Sequence, residues 1–351
     1  QAAHPVPDMA GVQAVEKIFA LLDTAGSDDL VINLLSGGGS ALLTAPVDGV
    51  SFDDIQNLNK QLLASGADIK DMNIVRKHLN KALGGGISKA LPHTPMITLS
   101  ISDVVGDDPA IIASGPTVPD PYSLDDAKNI LNKYEITPSA SILTALNTPE
   151  HETPKPGDPI FNKHKYVFIA TPSMALEAAA EFWKKHGYTP YIWDQNMEGD
   201  TNECAKKHVA FINRILSGQE DIKLPCAIIS GGETTVKIKG NGIGGPNTQF
   251  MLQSAISLNG LENVFGMACD TDGIDGAGDN AGAIITPDTL TRAAKKKIKP
   301  ADFLQQNNSY EFFNRIGPLV KSGPTYTNVN DYRVFLLDQK TEEKNQTKKT
   351  R

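Results

Sequence analysis

DLVINLLSGGGS, residues 29–40, decides the fold. Asp29–Leu35 is an apolar run the length of one buried strand, and it empties directly into Ser36-Gly37-Gly38-Gly39-Ser40. A strand ending in a glycine-rich turn is expected in an open α/β sheet. There ligands gather at the carboxyl ends of strands, and glycine lets backbone N–H groups approach closely. Outward from this point, short apolar runs keep alternating with longer amphipathic stretches. Ser51–Ser65 reads as a helix, with Ser51 and Asp54 as a capping box and Ile55, Leu58 and Leu62 on one face. A second helix is expected over Ile69–Leu83, stopped by Gly84-Gly85-Gly86. A strand over Met96–Ser102 and helices over Ser123–Tyr134 and Ser139–Leu146 follow.

Residues 149–164, rich in proline, mark a linker. Beyond it, strands are expected at Tyr166–Ala170, Tyr188–Trp193, Cys226–Ser230 and Val264–Ala268. Helices are expected at Met174–His186, Asn202–Leu216 and Thr248–Leu258, with a hairpin-like segment at Thr234–Lys239. Repeated strand–helix–strand units predict a mainly parallel sheet with helices on both faces. The tail, residues 340–351, is almost wholly polar and reads as disordered.

Length and charge narrow the function. The 351 residues suffice for two domains of ~150 residues each. The net charge of −8 argues against duplex DNA or anionic lipid, which reward a basic face. No apolar run approaches the ~20 residues that cross a bilayer. Cys204, Cys226 and Cys269 form neither a disulfide framework nor a metal clip, so a reducing cytoplasm is expected. Walker A is absent because no Gly-Lys pair occurs, and G-x-G-x-x-G is not found after a strand.

What remains is a set of glycine turns and acidic loops. Ser36–Ser40 suits a phosphate or carboxylate cradle, or a turn that needs glycine for sterics. Gly231-Gly232-Glu233, again directly after a strand, repeats the pattern. Asp103, Asp107 and Asp108 crowd one loop, and Asp270, Asp272 and Asp275 another. Such carboxylates repel one another unless a cation, water or donors offset them, which suits Mg2+ and equally suits turn capping. Arg76, Lys77 and His78 share a helix. An Arg fork there would clamp a small carboxylate or phosphate, unless the face is merely solvated.

Together these segments resemble the glycerate 2-kinases of the MOFRL family (class II glycerate kinases). The pieces are HPVPD at 4–8, SGGGSALL at 36–43, SGAD at 65–68, MNIVRKHL at 72–79, ISDVVGDDPAIIASGPTVPDP at 101–121, SGGETTV at 230–236, DTDGIDGAGDNAGA at 270–283 and TNVND at 327–331. The resemblance implies ATP- and Mg2+-dependent phosphorylation of D-glycerate at its 2-hydroxyl, giving 2-phosphoglycerate and ADP. It implies a Rossmann-like N-terminal domain over 1–155, incomplete at its start, a smaller C-terminal α/β domain of MOFRL type over 160–339, and an active site in the cleft between them. On this reading Asp272 orients the 2-hydroxyl and accepts its proton, and Arg76 holds the carboxylate with Ser36, Gly37, Gly38, Gly39 and Ser40. Asp103 and Asp107 hold Mg2+, while Gly231, Gly232, Glu233 and Asn247 contact nucleotide or substrate. Glycerate and nucleotide are the expected partners, in the cytoplasm, without nucleic acid or membrane, and a homodimer is an open assembly.

Two departures stand out. The family's Gly-rich segment with an important Lys, upstream of HPVPD, is not in this chain, and its GGRN reads Gly244-Gly245-Pro246-Asn247 here. A hydroxypyruvate reductase-type oxidoreductase and a catalytically impaired glycerate-binding remnant are the alternatives.

Overall fold

The computed structural model describes residues 7–104 and 106–339, so His4–Val6 of the HPVPD segment and the polar tail lie outside the described residues. The chain divides into two compact units, Gln1–Ala170 and Thr171–Arg351.

The first unit runs α1 (Met9–Leu22), β1 (Val31–Leu35), α2 (Gly39–Leu42), α3 (Phe52–Ala64), α4 (Ile69–His78), α5 (Gly86–Lys89), β2 (Met96–Ile101), α6 (Leu124–Lys133), α7 (Ala140–Leu146) and β3 (His164–Ala170). Its sheet has the order β1-β2-β3, all parallel, as the alternation requires. Both expected capping boxes form, Ser51 with Asp54 and Ser123 with Asp126. α4 stops at His78 rather than Leu83 because the chain leaves it to pair elsewhere. Val47 N–H donates to Leu79 O at 3.2 Å, and Lys81 N–H donates to Ala45 O at 2.7 Å. The next two glycines also pair away from the helix, Gly84 and Gly85 donating to Ser114 O and Gly115 O.

The proline-rich stretch is fastened down and does not behave as a linker. Glu152 Oε1 takes hydrogen bonds from His78 Nε2 at 3.1 Å and Lys155 Nζ at 2.6 Å, while its Oε2 takes Leu124 N–H at 3.1 Å. β3 then joins the first sheet, so the division falls after Ala170 and not within residues 149–164. Helices α1 and α5 pack on one face of this sheet, through Val15, Leu22 and Ile87 against Met96. Among the described residues the second face keeps large apolar side chains exposed, contrary to the expected two covered faces.

The second unit contains α8 (Pro172–Lys185), β4 (Thr189–Asp194), β5 (Gly199–Asp200), α9 (Thr201–Leu216), β6 (Cys226–Ser230), β7 (Thr234–Thr235), α10 (Pro246–Leu258), β8 (Val264–Asp270), β9 (Gly282–Ile285), α11 (Thr289–Lys295), α12 (Pro300–Gln305), α13 (Ser309–Ile316), β10 (Leu319–Val320) and β11 (Asp331–Leu337). Its six-stranded sheet has the order β10-β9-β8-β11-β6-β4, and only β4 and β6 are parallel. The expected parallel sheet fails here because β11 inserts between β6 and β8, antiparallel to both. The hairpin expected at Thr234–Lys239 is also not formed; β7 pairs parallel with β5 instead. Phe250, Phe312, Phe313 and Phe335 are fully buried in the core between this sheet and its helices. No helix among the described residues is long and apolar enough to cross a membrane.

Candidate active site

In the first unit a cavity of about 300 Å3 gathers Gly37, Gly38, Ser40, Arg76 and Asp103 from three separate segments. The glycine turn follows β1. Gly38 has φ 78°, a left-handed conformation that favours glycine. A Cβ on Gly37 would lie 1.8 Å from Asp103 Oδ2, so glycine here lets the turn and the acid meet without displacing the acid's side chain. Ser40 Oγ and Ser114 Oγ share a hydrogen bond of 2.7 Å that ties the turn to the second loop. Ser36 is exposed, and Gly39 packs against Ala113; neither lines the cavity.

Of Arg76, Lys77 and His78 on α4, Arg76 alone reaches the cavity. Its Nε donates to Asn59 Oδ1 at 2.9 Å and its Nη1 to Asn73 Oδ1 at 3.4 Å. Both partners are neutral, and Arg76 has no carboxylate partner among the described residues, while burial lowers its pKa. An aimed guanidinium with an unneutralised charge is a receptor for an anion. Lys77 is instead buried with Asp120 at 3.5 Å, and His78 with Glu152. The solvated-face alternative therefore fails for all three.

Asp103 lines the cavity; Asp107 does not. Asp107 has φ 51°, and its Oδ1 is buried without a hydrogen-bond partner. Asp108 caps its own turn, accepting Ala110 N–H at 2.9 Å. Among the described residues no three His, Cys, Asp or Glu converge as a protein-only metal cage. Mg2+ needs no such cage, taking one or two carboxylates and completing its shell with water and phosphate oxygens. The orphaned Asp107 oxygen and the cavity-facing Asp103 fit that chemistry.

The second unit joins its glycine turn to its acidic loop through buried charge. Gly231 N–H donates to Asp194 O at 2.8 Å, and Gly231 O accepts from Arg333 Nη1 at 2.8 Å. Gly232 has φ 88°, and a Cβ there would lie 2.3 Å from Met197 N. Glu233 is exposed. Arg333 is fully buried, paired with Asp331, and it also reaches Thr234 Oγ1 at 3.4 Å. Asn247 Nδ2 donates to Asp331 Oδ1 at 2.6 Å. Asn247, only 1% exposed, is thus spent inside the protein, although its Oδ1 has no partner.

The three acids of the 270–275 loop have separate fates. Asp275 caps α10, accepting Asn247 N–H and Thr248 N–H at 2.8 Å and Thr248 Oγ1 at 2.7 Å. Burial outweighs these donors and pushes it up to about 6. Asp270 is pushed up to about 7 by burial, with Asp331 and Asp272 adding to the rise. Asp331 is also raised by burial, against the pull of Arg333. Asp272 is half-buried, its N–H donating to Asp270 Oδ1 at 2.9 Å and its Oδ1 accepting Ile274 N–H at 2.7 Å. Pro246 opens α10 at a position where a missing N–H costs nothing.

Sequence reasoning missed Asp331 and Arg333. Their signal was available: residues two apart on a strand share a face, and Asp331 closes the TNVND segment. Gly240–Gly245 does spell G-x-G-x-x-G, but it follows a loop after β7, not a βαβ strand. Its Gly240 and Ile243 N–H groups are spent on Asn307 and Asn308, and its Gly242 N–H on Gln306 O.

Residues 1–147 match a family described as a domain of unknown function (DUF4147), and residues 226–331 match the MOFRL family. The D-glycerate 2-kinase of Thermotoga maritima is 36% identical over 96% of this chain and 79% of its own length. The glycerate 2-kinase of Pyrococcus horikoshii is 37% identical over 97% and 78%. An Agrobacterium vitis protein provisionally named a hydroxypyruvate reductase is 43% identical over 96% and 76%. The crystal structure of glycerate kinase from Thermotoga maritima superposes with a TM-score of 0.90, at 36% identity, covering 96% of this chain and 80% of that one. The chain therefore belongs to the glycerate 2-kinases of the MOFRL family and is a kinase.

Proposed function

We propose that the protein transfers the γ-phosphoryl group of ATP to the 2-hydroxyl of D-glycerate, giving 2-phosphoglycerate and ADP. The observation that carries this reading is the cavity in which Arg76, the Gly37-Gly38 turn and Asp103 meet. Arg76 receives the glycerate carboxylate, pre-aimed by Asn59 and Asn73. The turn supplies backbone N–H groups and, lacking side chains, admits the acid closely. Asp272 orients the 2-hydroxyl and accepts its proton. Gly231, Gly232 and Glu233 serve nucleotide or substrate, and Asn247 supports them by holding Asp331. Asp103 and Asp107 hold Mg2+ directly or through water; when bound, the ion neutralises phosphate charge. Phosphoryl transfer asks mainly for in-line positioning and charge neutralisation, which this residue set can provide.

The test is an ADP-coupled assay with D-glycerate, followed by NMR identification of the phosphorylated carbon. Asp272→Asn lowers kcat by roughly 10²–10⁴-fold with the fold intact; a near-normal rate removes Asp272 from the mechanism. The name of the Agrobacterium relative favours a second reading, reduction of hydroxypyruvate. NADH oxidation with that substrate, without ADP production from glycerate, would replace the first reading. Against it stand the Gly240–Gly245 N–H groups already bonded within the protein.

A further inference from the structure

Ser322-Gly323-Pro324-Thr325 repeats Ser114-Gly115-Pro116-Thr117 of the first unit. In the first unit this segment fastens the glycine turn, through the Ser114–Ser40 hydroxyl pair. In the second unit it lies against the 270–275 loop. A Cβ on Gly273 would lie 2.0 Å from Gly323 O, so the two backbones are in direct contact. Thr325 N–H donates to Asp272 O at 2.9 Å, and Thr325 Oγ1 donates to Thr271 O at 2.6 Å. The same hydroxyl accepts Thr327 N–H at 3.3 Å, which holds it in place.

Those two carbonyls belong to the two peptide planes that meet at the Asp272 Cα. A residue has only two soft backbone dihedrals, so fixing both flanking planes fixes the direction of its Cα–Cβ bond. Thr325 does this alone, with its backbone donor on one plane and its hydroxyl on the other. Asp272 N–H is held by Asp270 Oδ1 at 2.9 Å, and Ile274 N–H, 2.7 Å from Asp272 Oδ1, sets the rotation of the carboxylate. Thr271 is anchored in turn: its Oγ1 donates to Asn330 O at 2.8 Å and accepts Val329 N–H at 2.9 Å. Pro324, Thr325 and Tyr326 are all exposed, so hydrogen bonds rather than apolar packing hold this segment on the acidic loop.

We propose that Thr325 is a positioning residue, aiming the Asp272 carboxylate through the two peptide planes it fixes. The proposal rests on the reading of Asp272 as the proton acceptor. Thr325→Val keeps the branched shape and the N–H but drops the hydroxyl, releasing the plane between Thr271 and Asp272. Because misplacing a catalytic group by about 1 Å can cost roughly a hundred-fold, kcat is expected to fall roughly ten-fold, with KM for D-glycerate changed by less than about two-fold. Thr325→Ser, which keeps the hydroxyl, restores the rate. In the Asp272→Asn protein Thr325→Val costs nothing further, because no carboxylate remains to be aimed. The Ile274 amide reads the same geometry without turnover, and Thr325→Val speeds its hydrogen exchange. An equal fall in kcat with and without Asp272 overturns the proposal, as does an Ile274 amide that exchanges at its original rate. A near-normal rate in Asp272→Asn alone is a different result: it removes the reading of Asp272, and the role of Thr325 falls with it.

Discussion

In the first unit Arg76 faces a cavity with only amide oxygens on its guanidinium, whereas in the second Arg333 is sealed among an acid, a carbonyl and a hydroxyl. Both arginines are held by neighbours, yet one charge is kept available and the other is consumed. The acids divide the same way. Asp103 lines the cavity, while Asp275 and Asp331 hold α10 and the Gly231 turn in place. A charge satisfied inside the protein and a charge that faces a cavity are distinguished by who satisfies it, not by how deeply it sits. The sharpest way to break this comparison is Asp331→Ala. It leaves Arg333 buried and unpaired and frees Asn247, so a loss of about 3–5 kcal/mol in urea unfolding is expected. A loss below about 1 kcal/mol would put Arg333 on the available side.

Arg76→Ala should do the reverse. Deleting a guanidinium bonded only to neutral amides leaves no buried acid unpaired, so stability should change by less than about 1 kcal/mol. Losing a charge-assisted hydrogen bond to a carboxylate substrate costs about 1.5–3 kcal/mol, or roughly ten- to hundred-fold in KM for that substrate. Steady-state kinetics beside a melting curve separate the two outcomes.

How far the sequence foretold this division depends on the range of the interactions. Local signals were legible: the Ser51 and Ser123 capping boxes, the strand at Cys226–Ser230 and the Gly37-Gly38 turn depend on residues within a few positions of one another. The meeting of Gly37, Arg76 and Asp103 was legible only as a resemblance, since nothing in spacing alone brings three such distant segments together. β11 was missed because DYRVFLL carries Asp and Arg, which read as surface residues, whereas in the sheet they neutralise each other in the interior. With β11 missed, the antiparallel half of the second sheet could not be foreseen. The Asn247–Asp331 hydrogen bond was missed for the same reason: Asp331 was not yet part of any element.

Protonation sharpens the comparison further. Asp275 is raised to about 6 and Asp270 to about 7, both above the ordinary 3.8, so the folded second unit binds protons more tightly than the unfolded chain. Their contribution to stability is fully present below pH 3.8 and is lost as pH rises through about 6 to 7, by a few kcal/mol at most. Both tryptophans, Trp183 and Trp193, lie in the second unit, so melts followed by their fluorescence report on it selectively. The fluorescence midpoint should be higher at pH 5 than at pH 8. The Asp275→Asn protein should show a flatter dependence, and an unchanged slope would remove Asp275 as its source.

The smallest effect tests the first unit with the opposite sign. Asp54 accepts from Ser51 Oγ at 2.7 Å and Ser141 Oγ at 2.9 Å, and these hydroxyls, with Ser139, hold it down at about 2. A carboxylate lowered in the folded state contributes stability above pH 3.8 and loses it as pH falls through about 2. Acidification from pH 7 to 5 should therefore leave the Asp54 contribution untouched while it strengthens the second unit. Ser51→Ala removes the first of these donors together with the α3 cap, for a loss of about 1 kcal/mol at neutral pH. That loss should shrink below pH 3, where the carboxylate it served is protonating. Hydrogen exchange at α3 amides reads it locally. If the loss kept its full size down to pH 2, the hydroxyl would be acting on the helix backbone alone, and the charge of Asp54 would have no part in holding α3 to α7.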